Sequence, residues 1–73
     1  VRITFDTEAD AAFIYLNDAI PPGGAARSHM CDVELDEGAV ILLFSPEDQL
    51  VGLEVLGASR VLPQEVLDTA SRL

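Results

Sequence analysis

The stretch FDTEADAAFIYL, residues 5–16, sets Asp6, Glu8 and Asp10 at every second position directly ahead of a run of apolar residues. It is either an ion-binding loop or a turn feeding a strand, and the choice decides how the chain begins to fold. An EF-hand loop requires D-x-[DN]-x-[DN]-G and a bidentate Glu at its twelfth position, between helices. Counted from Asp6, the sixth residue is Ala11 and the twelfth is Asn17. The sharp turn and the closing ligand are both missing. The better reading has Asp6 capping a single turn over Thr7–Asp10, with Glu8 and Asp10 in that turn. A weak divalent-cation site built from Asp6, Glu8 and Asp10 is the alternative.

Outward from that turn the dominant period is two, the signature of strands. Residues 2–5 alternate polar and apolar. Residues 11–17 follow, with Phe13 and Tyr15 pointing one way and Ile14 and Leu16 the other. The segment Asp18–Ala26 is rich in Pro and Gly and reads as a surface loop. A third strand is expected over 27–35, with His29, Cys31, Val33 and Leu35 on one face. A three-residue hairpin loop at Asp36–Gly38 then leads to a strand over 39–45. Ser45–Gln49 is a turn with Pro46 at its second position, and a fifth strand covers 50–56. After Ser59 the pattern changes. Pro63 at a first helical position, Glu65 in the first turn and apolar Val66, Leu67, Ala70 and Leu73 predict an amphipathic helix near 63–72.

The fold class is therefore α+β: a single domain over 1–73, a mainly antiparallel sheet of about five short strands and a C-terminal helix. A chain of this size buries only roughly 60% of its unfolded surface. Its one cysteine, Cys31, excludes an internal disulfide. One helix covers one face of a sheet, yet residues 12–16 and 39–44 are apolar on both faces. A second copy is the economical cover, and a homodimer with a sheet face or edge in its interface is expected.

Thirteen acidic residues against four Arg and no Lys give a formal net charge of −9 and an isoelectric point near 4.1. That balance opposes binding to nucleic-acid phosphates or anionic lipid; the acids are spread along the chain, which reads first as a solvated surface, with an acidic patch that docks a basic protein partner as the alternative. No apolar run approaches the roughly 20 residues of a membrane span. The stretch VRITFDTEAD lacks the pattern of a signal peptide, so a cytoplasmic location is expected.

Few residues carry a pattern that points to chemistry. His29 and Cys31 sit at i and i+2, a spacing that supplies two zinc ligands where a structural site takes four, so a site there needs two copies meeting at a two-fold axis. Glu54 interrupts an apolar strand. It is either a partly buried carboxylate suited to acid–base work or a solvent-facing residue paired with Arg2 or Arg60. Neither phosphate-loop pattern occurs, and no Ser, His and Asp fall into a triad order. No catalytic residue and no cofactor are assigned.

The blocks ITFDTEADAAFIYL and VGLEVLGASRVLP resemble a small bacterial and archaeal family, domain of unknown function 2283. By position its motif maps onto Asp6, Glu8, Asp10, Tyr15, Gly52, Glu54 and Ser59, with Phe13 in place of the family's strand aromatic. The resemblance implies a small antiparallel sheet with a terminal helix and brings no reaction with it. The chain departs from the family at Ser45–Gln49, where the turn contains no glycine. The functional expectation is a non-enzymatic, homodimeric protein-interaction module. A small-ligand or divalent-metal-binding protein is the alternative.

Overall fold

The turn at Thr7–Asp10 sets the first strand pair. Asp6 Oδ1 accepts hydrogen bonds from the backbone N–H of Glu8 at 3.0 Å and of Ala9 at 3.2 Å. Asp10 closes the turn in the left-handed region, φ 51°, which a short polar side chain tolerates. β1 (Arg2–Asp6) and β2 (Ala11–Tyr15) are thereby antiparallel, with Arg2 opposite Tyr15 and Asp6 opposite Ala11. The structure, a computed structural model, describes residues 1–32, 34–35 and 38–73.

Four further strands complete one sheet: β3 (Arg27–Met30), β4 (Ala39–Phe44), β5 (Leu50–Leu56) and β6 (Ser71–Arg72). Their order is β3-β4-β5-β2-β1-β6. Every pair is antiparallel except β1 with β6. The α+β class and the mainly antiparallel sheet are as the sequence predicts. At the β4–β5 turn the Asp48 N–H donates to the Ser45 carbonyl at 2.9 Å, which puts Pro46 at the second position. Asp48 takes the left-handed conformation, φ 63°, that a glycine would otherwise supply.

Three expectations need correction. The third strand stops at Met30 rather than Leu35, although the Cys31 N–H still donates to the Val40 carbonyl at 2.8 Å. It is an edge strand with all four side chains exposed, so one ladder alone holds it. Val33 of that strand, and Asp36 and Glu37 of the expected hairpin loop, lie outside the described residues. The single helix near 63–72 is two short ones, α1 (Ala58–Val61) and α2 (Gln64–Thr69). Pro63 separates them, because the residue before a proline is driven out of the helical region and Leu62 is extended, φ −100° and ψ 145°. The sheet has a sixth strand, since the chain leaves α2 at an extended Ala70 and Ser71–Arg72 pairs with Thr4 and Phe5.

The register assigns the two faces of the sheet. Phe5, Ala12 and Val55 share one face and form the buried core with Ala58 of α1 and Leu67 of α2. Ile14, Val61, Leu62 and Ala70 pack around them. Gly57, at φ 68°, turns the chain from β5 straight onto this helix face. The opposite face carries no helix among the described residues. The molecule measures 32 × 27 × 18 Å, and the thin dimension is that of one sheet and one helix layer. No helix among the described residues is long and apolar enough to cross a membrane.

Candidate functional site

On the open face, Thr4, Phe13, Glu54, Ile41 and Met30 form one row across five strands, each opposite the next. Arg2, Tyr15, Gly52, Leu43 and Ser28 form the neighbouring row. Phe13 and Tyr15 are two residues apart on β2, so they point the same way, with ring centroids 4.3 Å apart and planes tilted by 36°. Gly52 makes room for them. A Cβ there would stand 2.8 Å from Phe13 Cε1, so the Phe13 ring lies where any other side chain would sit. The Arg2 guanidinium stacks over Tyr15 at 4.0 Å from the ring centroid while its Nε donates to the Asp18 carbonyl at 2.8 Å.

Beside these rings the face is concave. A hollow of about 230 Å³ is lined by Thr4, Asp6, Phe13, Tyr15, Glu54 and Leu73, with Ala11 and Ala12. Glu54 is half-buried in it, and its carboxylate makes no hydrogen bond or ion pair with a described residue. The expected pairing with Arg2 does not form, because Arg2 goes to Tyr15 and Asp18. Thr4 is only 5% exposed, and its hydroxyl has no hydrogen-bond partner among the described residues. Asp6 uses Oδ1 alone in the turn.

The other family positions hold the architecture together. The Ser59 N–H donates to Asp10 Oδ1 at 2.9 Å and the Ser59 hydroxyl to Asp10 Oδ2 at 2.7 Å. The Ala58 N–H donates to the Asp10 carbonyl at 2.9 Å. The residue preceding α1 is Gly57, which has no side chain to cap with, so Asp10 supplies the acceptors for the first N–H groups of α1 from 48 or more residues away in the chain. The Ser59 hydroxyl, then its N–H, hold the Asp10 carboxyl below its ordinary value of 3.8 against a smaller opposing effect of burial, and the charge of Arg60 adds the least. Glu8 is exposed.

The structure thus divides the residues singled out by sequence. Asp6, Tyr15, Gly52 and Glu54 meet on the open face, whereas Asp10 and Ser59 form a clasp at the end of the turn. His29 is exposed on β3 and Cys31 is half-buried beyond its end. Among the described residues no group of three or more His, Cys, Asp or Glu side chains is placed to hold a metal ion. Sequence reasoning missed Thr4 and the wall formed by Phe13. The signal was the length of the Asp6 turn, which fixes Thr4 opposite Phe13.

No curated protein and no solved structure matches the chain. The family model described as "Protein of unknown function (DUF2283)" matches residues 2–59, a span that contains the turn, the clasp and every strand of the open face, and the chain belongs to that family.

Proposed function

We propose that this protein is a non-enzymatic interaction module that works as a homodimer in the cytoplasm, with the open face of the sheet closed by a second copy. The observation that carries this reading is the one-sidedness of the core. Phe5, Ala12, Val55, Ala58 and Leu67 all pack on the helix side. Ile41, Leu43, Phe13 and Tyr15 are left half-buried on the other side, with Met30 58% and Leu56 37% exposed beside them. Contiguous apolar surface of this kind marks an interaction site.

The size of the face fits a second copy. Five strands about 4.8 Å apart, each contributing about five residues at roughly 3.3 Å, present roughly 400 Å² per copy in projection. With the relief of the side chains, two such faces reach the roughly 1,000 Å² at which specific interfaces begin. Each copy carries a formal charge of −9, so long-range repulsion opposes the association and salt relieves it. Against an enzyme stands the lining of the hollow. It contains no His, Cys, Ser or Lys, and its two hydroxyls, those of Thr4 and Tyr15, bond to no described side chain.

Native mass spectrometry of the wild type and of Leu43→Glu, with circular dichroism of both, tests the proposal. The expected result is twice the 7.8 kDa chain mass for the wild type and a folded species at the chain mass for the variant. Light scattering should show the dimer tightening as salt is raised from about 0.01 to 0.15 M, the range over which the Debye length falls from about 30 to 8 Å. A wild type at the chain mass, or a Leu43→Glu protein that stays dimeric, would refute it.

A further inference from the structure

We propose that the hollow beside Phe13 and Tyr15 is an anchor for the cationic end of an arginine or lysine side chain presented by a basic partner protein. This rests on the reading of the open face as the interaction surface. It adds a second kind of partner on that surface.

Three polar groups with spare hydrogen-bonding capacity converge on the hollow. Glu54 brings a carboxylate into an otherwise apolar row with no partner among the described residues. A cation seated in the hollow pairs with that carboxylate. Thr4, nine-tenths buried and more, adds a hydroxyl that bonds to nothing described. Asp6 faces the hollow with one oxygen engaged in its turn and the other accepting no hydrogen bond from a described residue. Two aromatic rings complete the wall, and the same face already holds a guanidinium, that of Arg2, stacked on Tyr15. Two carboxylates, the hydroxyls of Thr4 and Tyr15 and aromatic rings are surroundings that favour an organic cation.

Other ligands fit worse. Two carboxylates repel an anion. A neutral apolar group leaves Glu54 unpaired. A metal ion finds no group of three ligating side chains among the described residues. At about 230 Å³ the hollow takes one side-chain head and lies below the roughly 300–1,000 Å³ of small-molecule pockets.

A second copy offers few cations to the hollow. The chain has four Arg and no Lys. Arg2 is held by Tyr15 and Asp18, Arg27 by Asp48 and Phe44, and Arg72 by Phe5, while Arg60 is also engaged and lies beside Asp10. A different, basic protein is the fitting source, and the net charge of −9 steers such a partner in. The aliphatic patch of Met30, Ile41, Leu43 and Leu56 lies on β3, β4 and β5, and the hollow adjoins it at Glu54 of β5 and extends to β1.

The test is an amide NMR titration of the full chain with N-acetyl-arginine methylamide, run beside N-acetyl-citrulline methylamide as the neutral isostere. The expected result is saturable shifts at Thr4, Asp6, Phe13 and Glu54 with the arginine probe, binding about tenfold tighter than the citrulline probe. Glu54→Gln should lose about tenfold of the arginine affinity with its spectrum otherwise unchanged, and Thr4→Val should lose less. Equal response to both probes, arginine shifts confined to other residues, or undiminished binding in a folded Glu54→Gln protein would overturn the anchor. Failure of the homodimer reading has a separate signature. It gives the mass of one chain while the arginine-selective shifts persist.

Discussion

The two faces of this sheet are built from the same alternating strands and end in different states. On the helix side, Phe5, Ala12 and Val55 meet Ala58 and Leu67, and all five are buried within one chain. On the open side, Phe13, Ile41 and Leu43 are just as apolar but only half-buried, and a carboxylate stands among them at Glu54. The difference comes from chain length rather than composition. Two helices of four and six residues cover β1, β2 and β5 and leave nothing for the other face. In a small fold the side left uncovered is where its partners are to be sought.

The sharpest way to break this contrast is at Leu67, 1% exposed at the centre of the helix side. Leu67→Ala should destabilise the protein by about 2–5 kcal/mol in denaturant unfolding. The matching truncation on the open face, Leu43→Ala, should act mainly on the dimer and leave the unfolding of a dilute sample nearly unchanged. Next is Gly52, whose added Cβ would meet Phe13 Cε1 at 2.8 Å. Gly52→Ala should cost about 1–3 kcal/mol by overpacking, and Phe13→Leu in the same chain should recover part of it.

A smaller effect is expected where the first turn meets the helix layer. The Asp10 carboxyl has its pKa lowered on folding by Ser59, so its contribution is present above the unfolded value near 3.8 and is lost as pH falls through the lower folded one. Denaturant midpoints taken between pH 5 and pH 2 should fall for the wild type, and Asp10→Asn should remove that part of the decline. Equal slopes for the two proteins would show that the clasp does not depend on charge. The smallest effect belongs to Arg27 and Asp48, an ion pair whose side chains are 58% and 71% exposed. Asp48→Asn keeps a residue that tolerates the left-handed backbone and should change stability by less than about 0.5 kcal/mol.

How much of this was legible in the sequence varies by element. The Asp6 turn, the period-two strands and the Pro46 turn were readable because each is specified by neighbours in the chain. α1 was not, since four residues carry no periodicity and its first turn is held by Asp10, far away in sequence. β6 was not either. Two residues that read as the end of a helix become a strand only because β1 offers them an open edge. For the candidate site, the odd placement of Glu54 was visible, but its setting between Phe13 and Ile41 follows from pairings among three strands that no single segment encodes. The side of the sheet left uncovered was likewise a matter of tertiary packing. It took the burial of Val55 and Leu67 together to decide it.

Closure of the open face by a second copy is tested by isotope-filtered NOE spectroscopy on a mixture of labelled and unlabelled chains. Intermolecular contacts are expected from the methyl groups of Met30, Ile41 and Leu43, and none from Leu67. Intermolecular contacts confined to the helix layer or to the outer edge of β3, or none at concentrations where any dimer is populated, would contradict it.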